Sequence, residues 1–303
     1  MRAPVRRSAM ARREALDGFL FALPWFLGFV LLTAGPMAAS LYLSLTNYDV
    51  LSPPQWVGLA NYQKLFTGDP LFWTALGNTA YYVLFSVPLS MVGSLALSLL
   101  LNQPLWGIRL WRTLFYLPAV TSGVAVILLW AWLLNPDVGL VNRGLAWLHL
   151  PQPAWLADPA WSKPALILMS LWGLGSGMVI YLAGLQAIPQ HLYEAAEIDG
   201  AGRWRRFLSV TLPMLSPTIF FNLILNVISS FQVFTQAFVL TQGGPLNSTL
   251  FYVLYLFQQA FRFLHMGMAS AMAWVLLVIV LAMTVVQFAF SGRWVYYEGE
   301  TRR

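Results

Sequence analysis

The side chains in this chain that could do chemistry fall into two groups, and both suit binding rather than bond cleavage. Glu194, Glu197 and Asp199 stand with Ala195, Ala196 and Gly200 in a charged island between two long apolar runs. Beyond it Asn222, Asn226, Ser229 and Gln236 recur through an apolar run with Gln232 beside them, while Trp172, Gly173 and Ser176 interrupt the run before the island. Amides, hydroxyls and an indole offer hydrogen bonds and an aromatic plate, which is the chemistry of holding a neutral hydroxylated molecule. The residue sets that reactions require do not occur. There is no G-x-x-x-x-G-K-[ST] phosphate loop, and the only lysines, Lys64 and Lys163, belong to loops. His149, His191 and His265 fall in three different loops, a poor arrangement for a metal. A G-x-S-x-G elbow and cysteine are both absent from the sequence. No enzyme activity, cofactor or metal centre is expected.

The elements that must carry these groups follow from apolar patterning. The 303 residues are 59% hydrophobic and 9% charged, with mean hydropathy +0.67, whereas ordinary soluble domains are about 25% charged. Crossing about 30 Å of hydrocarbon takes roughly 20 helical residues. Runs of that length lie near 18–45, 75–101, 113–134, 164–187, 213–240 and 266–290, and none contains Asp, Glu, Lys, Arg or His. Pro24, Pro36, Pro88 and Pro118 sit inside them, as membrane helices tolerate when neighbours satisfy the freed backbone groups. Alternating ten-residue segments are missing, which argues against a barrel. The expectation is an all-α membrane protein with six transmembrane helices. It has a basic segment over 1–17, one transmembrane domain over 18–290 and a tail over 291–303.

Orientation follows from the basic residues. With the N-terminus inside, Arg2, Arg6, Arg7, Arg12, Arg13, Arg109, Arg112, Arg203, Arg205, Arg206, Arg293, Arg302 and Arg303 face the cytoplasm. Only Lys64, Arg143, Lys163 and Arg262 face out. The positive-inside rule therefore places both termini and the island in the cytoplasm. Trp56, Trp73, Trp132, Trp147, Trp155 and Trp161 gather at outer ends and loops as an interfacial belt. The first apolar run is too long for a cleaved leader and lacks a small-x-small site, so it reads as an uncleaved span. The net charge of +6 calls for no nucleic acid, because the arginines flank spans.

Within the island, Pro189 suits the first turn of a helix and Gly200 the position past its end, giving a helix of about ten residues. Leu192, Ala195, Ala196 and Asp199 share one face, where small side chains admit a close partner. A second short helix places Trp204, Phe207, Leu208 and Thr211 on one face, turns Arg203, Arg205 and Arg206 away, and yields to a fifth span opened by Pro213. In that span Asn222, Asn226, Ser229 and Gln236 fall within roughly 80° of arc at 100° per residue, making one polar stripe. Two readings of the stripe stand side by side: a path for cargo, or helix–helix hydrogen bonding worth about 0.6–2 kcal/mol per group. The lack of ionisable groups along it favours a neutral, hydroxyl-rich cargo.

Glu194-Ala195-Ala196, three residues, Gly200, nine residues and Val210-Thr211-Leu212-Pro213 resemble the E-A-A-x3-G-x9-I-x-L-P loop of the membrane-spanning subunits of binding-protein-dependent ABC importers. Val210 takes the place of isoleucine. Gly58-Leu59-Ala60-Asn61-Tyr62, Phe72-Trp73-Thr74-Ala75-Leu76-Gly77-Asn78-Thr79, Phe115-Tyr116-Leu117-Pro118, Leu134-Asn135-Pro136 and Thr241-Gln242-Gly243-Gly244-Pro245 are similar to segments of its carbohydrate branch, the maltose and glycerol-phosphate type. The resemblance implies a type I ABC importer permease architecture with a cytoplasmic EAA coupling helix in loop 189–213. It further implies a multi-pass protein of a bacterial or archaeal plasma (inner) membrane and a carbohydrate substrate. The implied partners are a second homologous permease, two cytoplasmic ABC ATPase subunits and an extracytoplasmic solute-binding protein. Glu194 would then supply a polar or ionic contact to the ATPase, Ala195 and Ala196 close packing, and Gly200 the turn, with Asp199 beside it.

Other classes fit less well. A secondary transporter usually needs intramembrane Asp, Glu or His relays, or paired broken helices for an ion. A membrane scaffold would tether a soluble partner through the island without transport. Polyamine, phosphate and molybdate permeases also carry EAA loops, and only the wider resemblance separates them.

Overall fold

The computed structural model describes residues 9–104, 106–121 and 123–296. Arg2, Arg6, Arg7, Arg302 and Arg303 of the orientation argument lie outside these, as do parts of the terminal segments 1–17 and 291–303. The described chain divides into two compact units.

The first unit runs to Leu65 and includes Gln259–Trp274. Its helix α1 (Ala9–Phe29) continues through a π turn, Val30–Ala34, into α2 (Gly35–Ser44). The π turn has a local cause at Pro36, which has no N–H to give and whose ring crowds the carbonyl one turn back. The backbone widens, and Gly35 N–H reaches Val30 O instead. Strands β1 (Thr46–Asn47) and β2 (Gln55–Trp56) form a short antiparallel ladder, Thr46 opposite Trp56, that helical periodicity does not foretell. Helix α3 (Ala60–Thr67) follows, and its Asn61 amide donates to Ser44 O and Thr46 O at 2.9 and 2.8 Å. Most side chains described on α1 and the π turn point outward, with Phe21 89% and Leu32 80% exposed. Such a surface is suited to hydrocarbon rather than water.

The second unit runs from Phe66 to Gln258 and resumes at Val275. Helix α4 (Pro70–Leu101) begins five residues before the expected span because the Asp69 carboxylate caps it, accepting from Leu71 N–H and Phe72 N–H, with Pro70 in the first turn. Helices α5 (Ile108–Val120) and α6 (Gly123–Leu133) replace the straight span expected at 113–134 and bend by 97°. Pro118 sits in the last turn of α5, and Thr121 is extended at ψ 150°, so the helix ends there. Helix α7 (Leu140–Trp147) lies in the next loop. Helices α8 (Pro159–Ser170) and α9 (Leu174–Gln186) are joined by a 3-10 turn, Leu171–Gly173.

Helix α10 (Gln190–Ile198) and helix α11 (Arg203–Arg206) follow, and α11 runs without a break through a π turn, Phe207–Thr211, into α12 (Leu212–Phe231). The expected separate helix and Pro213-opened span are therefore one element. Pro213 causes the π turn, as Pro36 does, and Leu212 N–H bonds Phe207 O. The expected unbroken run to residue 240 is also corrected. α12 stops at Phe231, Phe234 adopts φ −142°, ψ −60°, and α13 (Thr235–Leu240) restarts. Helices α14 (Tyr252–Phe257) and α15 (Met266–Ser291) complete the described chain.

Five helical stretches among the described residues are long and apolar enough to cross a membrane: Leu16–Ser44, Pro70–Leu101, Pro159–Gln186, Arg203–Leu240 and Met266–Ser291. The bent α5–α6 pair makes a further candidate. Inside the second unit α4 packs on both α9 and α12. Two apolar clusters hold them. Val83, Val87, Val227 and Phe231 form one, and Tyr181, Leu185, Ile188 and Leu215 the other.

Candidate functional site

The charged island is built on α10. Its end is a Schellman arrangement: Ala201 N–H bonds Ala196 O at 2.8 Å, Gly200 N–H bonds Glu197 O at 2.9 Å, and Gly200 takes φ +72°. Pro189 precedes the first turn with ψ 132° rather than sitting inside it. Leu192 and Tyr193 pack against the cluster around Leu215, and Tyr193 Oη lies 3.0 Å from Thr211 Oγ1. An ion pair joins Glu197 to Arg206. Helix α10 is thereby fixed to the start of α12 by packing, a hydrogen bond and a charge pair.

The expected face divides. Leu192 and Ala196 are partly covered, whereas Glu194, Ala195 and Asp199 are exposed together with Ile198, at 87%. The reason is that Tyr193 packs inward, which rotates Ala195 outward. Arg206 does not turn away as expected, because it meets Glu197, and Trp204 is 71% exposed while Thr211 is buried. The outer surface of the island therefore carries Glu194, Asp199 and the Arg206-paired Glu197 beside Ile198, Trp204 and a small Ala195.

The second group gathers around two adjoining cavities of about 540 and 220 Å³. Asn226 and Ser229 border both, Asn222 and Ser176 the smaller, and Gln232, Gln236 and Trp172 the larger. Gln236 lies on α13, so the stripe expected along a single helix is broken at Gln232–Phe234, yet the cavity reunites its members. Asn222 donates to Thr218 O at 3.0 Å, Asn226 to Asn222 O at 2.9 Å and Ser229 to Leu225 O at 2.6 Å. Each of these bonds goes one turn back on its own helix.

Three interruptions of the apolar helices meet at the larger cavity. Thr121 and Gly123 come from the α5–α6 bend, Trp172 and Gly173 from the α8–α9 turn, and Gln232, Val233 and Phe234 from the α12–α13 break. Irregular backbone at membrane depth persists where it lines a cavity, since its freed N–H and C=O groups need partners. No Asp, Glu, Lys, Arg or His lines either cavity among the described residues. Where α4 meets α9, a side chain on Gly177 would press Ser94, and Ser94 Oγ donates to Leu174 O at 3.0 Å.

Periodicity on α12 alone misses several groups. Ser86 and Ser90 come from α4 and Trp130 from α6, and all line the larger cavity. Among the described residues, Ser86 Oγ and Trp130 Nε1 are buried without a hydrogen-bond partner. The Trp130 and Trp172 rings meet edge to face at 5.9 Å. The only signal in the sequence is that Trp130 and Ser86 are polar-tipped residues in apolar runs.

The family model described as "binding-protein-dependent transport system inner membrane component" matches residues 89–296. The probable ABC transporter permease protein YesP of Bacillus subtilis is 45% identical over 300 residues, covering 98% of this chain and 97% of that protein. The lactose transport system permease protein LacF of Rhizobium radiobacter is 36% identical over 294 residues, covering 94% and 97%. In fold, the chain is similar to a bacterial alginate ABC transporter crystallised with an alginate pentasaccharide-bound periplasmic protein. The TM-score is 0.83 at 24% identity, with 95% of this chain and 98% of that chain covered. These are transport components rather than enzymes. A multi-pass helical chain, with its polar groups turned to an uncharged cavity and this match over residues 89–296, belongs to the inner-membrane components of binding-protein-dependent ABC transport systems.

Proposed function

We propose that this chain is the permease subunit of an ATP-driven importer of neutral saccharides, and that the paired cavities are its cargo path. The observation that carries this reading is the hydrogen bonding of the polar stripe. Asn222, Asn226 and Ser229 donate to carbonyls of their own helix, and Asn226 and Ser229 border both cavities, which supports the cargo-path reading over helix–helix hydrogen bonding. The uncharged lining suits cargo without charge, since an anion would call for an Arg or Lys in the wall. Relatives are named for both kinds of cargo, lactose for LacF and the acidic polysaccharide alginate for the structural neighbour, so the uncharged lining is what decides for neutral cargo here.

In this reading the bent α5–α6 pair counts as one span, making six, with both termini and the EAA helix α10 in the cytoplasm. Glu194, Ala195, Asp199, Ile198 and Trp204 form the surface that meets a cytoplasmic ATPase, Ala196 packs beneath, and Gly200 sets the angle of the turn. The attachment of α10 to α12 supplies the mechanics. A push on α10 moves α11, the π turn and α12 as one piece, and α12 carries Asn222, Asn226 and Ser229 in the cavity wall. Two ATPases, a second homologous permease and an extracytoplasmic solute-binding protein complete the assembly.

The test is uptake into proteoliposomes by the assembled complex with its binding protein, using radiolabelled neutral and uronic-acid oligosaccharides. Uptake of a neutral sugar that needs internal ATP is expected. Uptake driven by a proton or sodium gradient without ATP, or accumulation of only the anionic sugars, would contradict the proposal.

A further inference from the structure

An apolar cavity of about 570 Å³ lies between α4, α5 and α9, apart from the pair that makes the cargo path. Its walls include Ala96, Leu97 and Leu100 of α4, Leu114 and Phe115 of α5, and Leu174 of α9. Apart from Trp172, every residue lining it is Gly, Ala, Leu, Phe or Pro. A sugar would leave its hydroxyls unbonded there. Leu100, Leu114 and Phe115 are exposed, so the cavity opens sideways onto the surface that meets hydrocarbon in a membrane-spanning chain. Two of its residues also belong to the cargo path, because Pro118 and Trp172 line this cavity and the larger uncharged one alike. A group seated on the apolar side therefore backs the Trp172 ring.

The chemistry at the ends of this face of α4 points to the occupant. Toward the start of α4 a second apolar cavity, about 500 Å³, is lined by Tyr81, Phe85 and Pro88 with Ile167 and Leu168 of α8, and Leu171 borders both. Each has a cation at its far end. Arg112 Nε and Nη2 donate to Leu101 O at 3.2 and 2.8 Å, next in the chain to Leu100, while Lys163 Nζ lies 5.1 Å from the centre of the Tyr81 ring. Tyr81 to Leu100 covers about 28 Å of helix at 1.5 Å per residue, close to the roughly 30 Å of hydrocarbon. The two cations thus stand at the two interfaces, where lipid phosphates lie. A single helix laid along this face would need neither the division at Leu171 nor a cation at each end. Two lipid molecules, one from each leaflet, account for both.

We propose that the cavity between α4, α5 and α9 holds an acyl chain of an anionic phospholipid whose phosphate sits on Arg112, and that this chain braces Trp172 in the cargo path. Leu101 O engages one edge of the guanidinium, and the planar fork keeps further N–H donors matched to phosphate. Trp106 and Trp111, both exposed, flank the site, as indoles do at headgroup level. Under the orientation proposed above this is the cytoplasmic leaflet, whose anionic lipids attract juxtamembrane cations. Occupancy itself does not depend on that orientation.

The test uses the assembled complex in nanodiscs of phosphatidylglycerol or phosphatidylcholine, each lipid carrying a photoreactive diazirine in one acyl chain. Phosphatidylglycerol should label peptides bearing residues 96–100 and 114–118, located by mass spectrometry, about fivefold more than phosphatidylcholine, as one surface cation predicts. Arg112→Lys should keep that preference and Arg112→Gln lose it. Equal labelling of the wild type by the two lipids would overturn the headgroup assignment. Absence of label from both lipids, with Ala96→Cys forming cross-links to the second permease, would make the cavity a subunit interface and end the proposal. Labelling needs no transport, so its outcome is separate from that of the cargo-path reading. Uptake in proteoliposomes then reads the brace. Wild type should transport about fivefold faster with phosphatidylglycerol than with phosphatidylcholine alone, whereas Ala96→Trp, which fills the cavity with a fixed ring, should take no label and lose the difference. An equal dependence on phosphatidylglycerol in Ala96→Trp would overturn the brace.

Discussion

Gly200 shows how a single residue fixes the geometry of a surface. Among the described residues nothing beyond its chain neighbours lies within 4 Å of a Cβ built there, so its requirement is conformational: φ +72° and an N–H for Glu197 O. Gly200→Pro removes both. Glu194→Lys leaves the fold alone and reverses a charge on the exposed face of α10. Both variants should insert normally yet lose co-purifying ATPase and coupled transport, and wild-type values for both quantities in both variants would refute the coupling role. Trp130 gives a second residue-scale prediction. Its buried, unpartnered N–H costs about 1–3 kcal/mol unless something accepts from it. Trp130→Phe keeps a ring against Trp172 and removes the donor. The expected result is an apparent KM for sugar raised about tenfold, with thermal stability unchanged or higher. An unchanged KM would show that the indole N–H does not meet cargo.

The elements divide into those legible in the sequence and those that tertiary chemistry redrew. A Cβ on Gly175 would collide with the Phe115 carbonyl, so α9 and α5 touch backbone to backbone at that point. Gly175→Ala should therefore lower the melting temperature of the assembled complex, at about 1–3 kcal/mol for overpacking. Gly144→Ala, in open space on α7, should be neutral or slightly stabilising. Equal melting temperatures for the two would remove the close crossing. The last apolar run matches α15 to within a residue, since nothing interrupts its hydrophobicity. The runs near 113–134 and 213–240 are also apolar enough to cross a membrane, but they are broken. Hydropathy sums side chains and is blind to where the backbone turns, and the breaks at Thr121 and Phe234 occur where a cavity can take up the freed backbone groups. Pro36 and Pro213 are visible as prolines, but their effect is a π turn rather than a helix start. The rotation of α10 also escapes a reading of periodicity, because it depends on Tyr193 finding Thr211.

At the scale of the whole molecule, several short motifs that carry the family resemblance turn out to be pins. Asn61 holds Ser44 and Thr46, Asn78 and Thr79 hold the 247–252 backbone, and Asn135 Oδ1 accepts from Asp137 and Val138 N–H in a loop turn. Their spacing is readable and their partners are not, since those partners lie up to 173 residues away in sequence. The proposed orientation rests on the arginine distribution. Single cysteines at Gly68 and Ala160 should react with an impermeant reagent from outside, and one at Gly202 should not; outside labelling at Gly202 would reverse the orientation. The central claim is that the uncharged cavity conducts sugar, and one measurement addresses it most directly. Asn226 and Ser229 border both cavities, and hydroxylated cargo leaving water must replace its hydrogen bonds there, each unmet one costing roughly 1–3 kcal/mol. Sugar uptake per assembled complex should be compared between wild type and the Asn226→Leu, Ser229→Leu double variant. The account predicts uptake near zero with assembly and basal ATP hydrolysis retained, and an unchanged uptake per complex would contradict it.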